Sequence, residues 1–180
     1  ILVSPSLLLS FSGIYFTNNF NMDQVQVGFI YTIIAIGSVL GIIFAGLLAD
    51  RIGKEKLSRF FYTLLFITTI PLFFLKSQIL IVGMLIIFAL GLDGGCTSYQ
   101  ALCSEINPKN RGTFMSLFYT VNAITVTLFS ILGPIFYNLG GYKLLIAISM
   151  ITSFAAIKIQ YSIAIEQNIF QKNSIDPVEV

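Results

Sequence analysis

Asp93 is the residue best placed to do chemistry. It sits inside an apolar run from Ile79 to about Ser104. A carboxylate at the centre of a membrane-length apolar segment costs about 2.5 kcal/mol or more on insertion scales, so it normally faces a cavity or a partner. Asp93, Thr97, Gln100 and Ser104 recur at spacings of four, three and four. At about 100° per residue they share one stripe of a helix. Leu92, Gly95, Tyr99 and Leu102 form the opposite face. This pattern predicts one wall of a water-accessible cavity, with Asp93 loading and releasing a proton or contacting a substrate. The plainer alternative is a structural aspartate bonded to the amides at Gly94–Gly95 or to another helix.

Two further groups bear on function. Ser12, Tyr15 and Asn19 follow spacings of three and four, a second candidate cavity stripe; alternatively, the asparagines around position 19 only cap a helix end. Asn122 suits an interhelical hydrogen bond better than a ligand. The densest basic cluster, Arg51, Lys54, Lys56 and Arg59, stands between two apolar runs beside Gly46, Asp50 and Gly53. Histidine is absent, which removes the commonest zinc ligand and the usual near-neutral proton carrier. Cys96 and Cys103 are seven residues apart, about 10 Å along a helix and too far for a disulfide. Neither a metal site nor a cofactor is implied. Ser104 beside Glu105 lacks the third member of a triad, and no phosphate-cradling glycine loop occurs, so the chain does not read as an enzyme.

The elements that position these residues follow from composition. Of 180 residues, 56% are hydrophobic and 10% charged, with a mean hydropathy of +0.89. Soluble domains carry about 25% charged residues, so this chain has too few to cover a water-facing surface. Its apolar runs are continuous rather than alternating, which predicts an all-α membrane protein and not a barrel. A net charge of +2 gives no reason to expect nucleic acid. Six transmembrane helices are expected at about 1–16, 27–48, 60–75, 79–104, 113–137 and 144–163, forming one bundle over 1–163. A polar tail or linker is expected over 164–180. Gly37, Gly41 and Ala45 in the second span are small at helical spacing, which lets helix backbones approach closely. The chain opens on Ile1, already within an apolar run, and reads as a piece of a longer polypeptide.

Positive charge sets the orientation. Arg51, Lys54, Lys56, Arg59, Lys109, Arg111 and Lys172 fall in the loops after spans two and four and in the tail. The opposite loops hold only Lys76 and Lys143. Both ends of the segment are therefore expected in the cytoplasm, with the bundle in the cell membrane.

The stretch Gly46-Leu-Leu-Ala-Asp50-Arg51-Ile-Gly53-Lys54 resembles the signature loop of the major facilitator superfamily of secondary transporters, Gly-x-x-x-Asp-Arg-x-Gly-basic-basic. Glu55 departs where the family has a second basic residue, and Lys56 follows at once. Asn110-Arg-Gly-Thr-Phe-Met-Ser-Leu117 resembles the entrance to the fifth helix in drug- and sugar-efflux members. Gly133-Pro134 followed by Gly140-Gly141 echoes a fifth-span pattern of the family, although Tyr137-Asn138 stand where its antiporters carry Gly-Gly. The resemblance implies six spans making one half of a two-bundle transporter that works by alternating access. The absence of an arginine from span four and the polar end favour the second half. It further implies a small-molecule substrate, protons as coupling ion, the lipid bilayer as surroundings and the other six-span half as partner. Gly46, Asp50, Arg51, Gly53, Lys54, Glu105 and Arg111 become a cytoplasmic latch, with Glu105 and Arg111 as candidate partners for the Asp-Arg pair. Proton-coupled efflux of drugs or sugars is the specific expectation. Uptake of a small metabolite is the alternative, and a six-span channel or scaffold is the reading from another class.

Overall fold

A computed structural model describes the backbone of residues 3–106 and 110–175, with side chains at 7–105 and 110–162. It is helical, with no strand among the described residues. Helix α1 is Val3–Phe20, α2 Gln24–Ile52, α3 Lys54–Phe74, α4 Gln78–Ile106 and α5 Arg111–Ile175. The last is two helices joined at Gly141, whose φ of 63° and ψ of −163° interrupt the helical path. Its arms are residues 111–140 and 142–175, so six helical segments stand where six spans are expected. Helices α2 to α5 are long and apolar enough to cross a membrane. At 18 residues, α1 extends about 27 Å.

The connections are tighter than the sequence suggests. The basic stretch at 50–59, expected as a loop, is almost wholly helical: Gly53 alone separates α2 from α3. Its φ of 94° is open to glycine at no steric cost, so the chain reverses within one residue. Lys54 to Arg59 then form the first turns of α3, pinned by buried Leu57 and Phe61. The turn expected at 138–143 likewise shrinks to Gly141. The second arm runs to Ile175, beyond the expected start of the tail at 164, because no glycine or proline interrupts 164–175. Between α1 and α2, Asn21 takes φ 50°, and Asp23 and Gln26 form a reciprocal capping box. Residues 1–2, the loop positions Asn107, Pro108 and Lys109, and 176–180 lie outside the described residues, as does the side chain of Lys172.

Close backbone approach organises the packing. Helix α2 lies parallel to α4, with Gly37 against Ile86 and Gly41 against Leu90, four residues on along each helix. A Cβ on either glycine would collide with the facing carbonyl oxygen. A Cβ on Gly94 would stand 3.0 Å from the Gly41 carbonyl and 2.8 Å from the Phe61 ring. On its other side α4 meets α3, where added Cβ atoms on Gly91 and Gly95 would lie 3.1 Å from the Phe61 carbonyl and 3.0 Å from the Tyr62 ring. Glycine does here what burial cannot, since lipid is as apolar as leucine and offers no hydrophobic gain for pairing helices.

The rest of the bundle forms around that core. Helix α1 packs on α5, with Phe11 stacked on Tyr137 at 6.0 Å and Tyr15 on Tyr142 at 4.5 Å between centroids. The second arm lies on α3, where Phe66 meets Phe154 at 5.8 Å and the Gln160 amide donates to Ser58 Oγ at 3.2 Å. Leu65, Leu72, Leu85, Phe88 and Leu145 fill the centre. The outward row on α2, including Phe29, Ile33, Ile36 and Leu47, is exposed, as a lipid-facing surface is.

Gly41→Val should lower the unfolding midpoint of the detergent-solubilised protein, by the equivalent of about 1–3 kcal/mol for overpacking. Gly28→Ala, where nothing lies within 4 Å, should leave it unchanged or slightly raised. Equal behaviour of the two variants would remove the α2–α4 seam from this role.

Candidate functional site

The glycines that fix α4 also decide where its polar stripe points. Gly91 and Gly95 face α3, and Asp93 is two residues from each, about 160° around the helix at 100° per residue. Asp93, Thr97, Gln100 and Ser104 therefore share the side of α4 turned away from α3, and all four are half-buried. The Thr97 hydroxyl donates to the Asp93 carbonyl oxygen at 2.8 Å and the Ser104 hydroxyl to Ala101 at 2.8 Å. Each hydroxyl thus spends its proton on its own helix and offers lone pairs outward. Among the described residues, the Asp93 carboxylate has no hydrogen bond or ion pair. The expected alternative, bonding to the amides at Gly94–Gly95, is not formed.

The face next to the stripe borders a crevice of about 350 Å³ between α3, α4 and the first arm of α5. Tyr62, Cys96, Tyr99, Cys103, Phe118 and Asn122 are among its walls. Tyr62 donates to the Cys96 sulfur at 3.8 Å, and both thiols are free. Tyr99, expected on the apolar back of the helix, lines this crevice, while the four stripe residues do not.

Ser12, Tyr15 and Asn19 divide between two environments. Tyr15 and Asn19 line a cavity of about 500 Å³ at the end of the bundle away from the basic cluster. Ser12 is buried inside the bundle, where its hydroxyl lies 2.8 Å from the Leu9 carbonyl and 3.0 Å from the Tyr31 hydroxyl. Tyr31 reaches from α2 into the backbone of α1. It accepts from the Gly13 N–H at 2.9 Å and donates to the Leu9 carbonyl at 2.7 Å, the two groups that pair with each other in a regular helix. Tyr142 donates one residue earlier, to the Leu8 carbonyl at 3.1 Å. Tyr31 and Tyr142 were not legible as functional residues. The available signal was a phenol within an apolar run, which needs a hydrogen-bond partner where water is excluded.

At the basic end, Lys54 joins three helices. Its ammonium lies 3.9 Å from Asp50 at the end of α2 and forms an ion pair with Glu105 at the end of α4. Arg59 pairs with Glu55 at 3.0 Å and stands over the Tyr161 ring at 5.3 Å. The expected partner of Glu105 was Arg51, but Lys54 takes it, because Gly53 turns the first residue of α3 toward α4. Arg51 and Arg111 are exposed and have no ion pair among the described residues. A Cβ on Gly46 would meet nothing within 4 Å, so no contact within this bundle requires a glycine there.

The family model described as Major Facilitator Superfamily matches residues 3–162. The Inner membrane metabolite transport protein YgcS of Escherichia coli (strain K12) is 25% identical over 132 residues, which is 73% of this chain and 30% of that protein. The chain thus spans under a third of that relative's length. No solved structure gives a significant match.

Tyr31→Phe should lower the unfolding midpoint by the equivalent of about 1–2 kcal/mol, since one hydroxyl serves two backbone groups. Ser12→Ala should cost less, because the Tyr31 bonds survive it. Thermal unfolding of both variants in one detergent checks the order, and a larger loss for Ser12→Ala would contradict the assignment.

Proposed function

The chain belongs to the major facilitator superfamily and is an integral membrane protein, and from this we propose that it forms one six-helix bundle of a secondary transporter. That bundle rocks against a second one and exposes a shared cavity to each side of the membrane in turn. The observation that carries the reading is Asp93: a half-buried carboxylate with no hydrogen bond or ion pair among the described residues, on the side of α4 that looks away from α3. Thr97, Gln100 and Ser104 extend that surface as neutral hydrogen-bonding groups. In this reading Asp93 takes up and releases the coupling proton, and the neutral groups orient a small polar substrate. The second half of the same polypeptide supplies the facing wall. Tyr15 and Asn19 belong to the mouth of the pathway, and Ser12 holds α1 in place.

Asp50, Lys54 and Glu105 form the cytoplasmic latch, tying α2, α3 and α4 together on the closed side. Arg51 and Arg111, which have no ion pair among the described residues, are the charges we assign to contact with the opposite half. The likeness of Asn110 to Leu117 to efflux members supports proton-coupled export of drugs or sugars from a segment with both ends in the cytoplasm. A second reading, uptake of a small metabolite, is favoured by the relative whose name describes metabolite transport.

Reconstituting the intact protein into liposomes under an imposed pH gradient tests the central assignment. Asp93→Asn should reduce gradient-driven accumulation to the level of equilibrated vesicles while substrate exchange without a gradient persists. Full pH-gradient dependence in the variant would refute a coupling role. Asp50→Asn should slow transport several-fold, with the ranking of substrates unchanged; a changed ranking would move Asp50 from the latch into the binding pathway.

A further inference from the structure

The end of the bundle opposite the basic cluster is poor in charge. The connections 17–23, 75–77 and 138–143 contain two cations, Lys76 and Lys143, and one acid, Asp23. Asp23 is engaged, its carboxylate accepting from the Gln26 N–H at 2.7 Å in the capping box. The lysines are 67 positions apart in sequence, one beyond α3 and the other just after the break at Gly141. The fold nevertheless brings both to the wall of the same cavity of about 500 Å³. Among the described residues no carboxylate lines it and neither lysine has an ion pair.

The other polar groups there are neutral and able to donate. Tyr15, Asn19, Tyr137 and Tyr142 line the same space. The Tyr142 hydroxyl is committed to the Leu8 carbonyl. Tyr137 accepts from the Asn18 amide at 3.5 Å, which leaves its own proton for a ligand, and the Tyr15 hydroxyl has no partner among the described residues. Two lysines bordering one cavity that no described carboxylate lines would both contribute favourable charge to an anion held there. Ammonium groups beside phenol and amide donors, with no acidic acceptor, suit the oxygens of a carboxylate or a phosphate. Interfacial anchoring alone would explain a lysine at each helix end, but it gives no reason for both to border one cavity with these donors.

We propose that this cavity is an anion-binding site, with Lys76 and Lys143 as its charged arms and Tyr15 and Tyr137 as hydrogen-bond donors. Its ligand carries a carboxylate or phosphate group, supplied either by a small soluble anion or by the headgroup of an acidic lipid. Binding is the readout, so the result is independent of transport and of any role for Asp93.

The test uses the full-length protein in nanodiscs of pure phosphatidylcholine, titrated with inorganic phosphate and with succinate at constant ionic strength. If the source is soluble, either anion should raise the unfolding midpoint by about 2 °C or more at saturation, as expected for a ligand that binds only the folded state. The Lys76→Gln/Lys143→Gln protein should lose that shift. If the source is lipid, neither soluble anion should act, whereas replacing part of the phosphatidylcholine with phosphatidylglycerol should stabilise the unmodified protein and not the double variant. A shift of equal size in both proteins, or no shift in either medium, overturns the proposal. Should the double variant fail to fold, amine acylation of the unmodified protein gives the answer by mass spectrometry. The stabilising anion or lipid should slow labelling of Lys76 and Lys143 at least threefold relative to Lys56, and equal rates would overturn the site.

Discussion

Everything in this bundle depends on how closely two backbones come together along the α2–α4 seam. Inside a bilayer, exposed leucine and isoleucine are already in a comfortable solvent, so helices gain little by burying them against each other. What remains is interhelical hydrogen bonding and short-range dispersion, which loses about a quarter to a half of its strength when a contact opens by about 0.5–1 Å. Gly37 and Gly41 let α2 rest directly on the carbonyls of α4, and Gly91, Gly94 and Gly95 allow α4 to do the same against α3 and α2. A helix held on two sides has only a limited choice of rotation. The direction of Asp93 follows from where the glycines are.

Charge obeys a different logic. Most of the ionic groups gather at one end, where Lys54, Asp50, Glu105, Glu55 and Arg59 make three short-range pairs across or along helices. These pairs are partly solvated, and each contributes modestly to stability. Their significance is positional, since Lys54 reaches both the last turn of α2 and the last turn of α4 from the first residue of α3. Asp93 stands apart from that cluster, half-buried along the apolar run of α4, with no cation among the described residues paired to it. One set of charges holds helix ends together; Asp93 takes no part in it.

Much of this was legible in the sequence, for reasons that can be named. Continuous apolar runs predict helices because, of the two structures that satisfy backbone polar groups in lipid, a barrel would need alternating runs, and the six runs correspond to six helical segments. The stripe of Asp93, Thr97, Gln100 and Ser104 is a matter of periodicity, which α4 preserves. Connection lengths were less accessible. Whether Gly53 or Gly141 reverses the chain in one residue depends on a positive φ that composition cannot reveal. Pairing choices were hidden as well: Lys54 displaces Arg51 at Glu105 only because of that one-residue reversal. The separation of Ser12 from Tyr15 and Asn19 reflects contacts with α2 and α5, which a one-helix pattern does not contain. Tyr31 was the clearest loss, since its partners are backbone atoms of another helix and leave no trace in side-chain spacing.

The Tyr31 hydroxyl ties the main chain of α1 to α2 without the cost that a proline at the same place would carry. A proline joint leaves a carbonyl without its usual donor and imposes a permanent bend. At Leu9 and Gly13 both backbone groups are engaged by a side chain from another helix, an oxygen that accepts on one side while it donates on the other. If the distance between those groups stretches, the phenol still spans it, and no polar atom is left bare to the lipid. The phenol thus acts as a cross-tie from α2 into the main chain of α1, within an uninterrupted helix. Because that phenol belongs to α2, the middle of α1 is anchored by backbone hydrogen bonds to a neighbouring helix and not by side-chain packing alone.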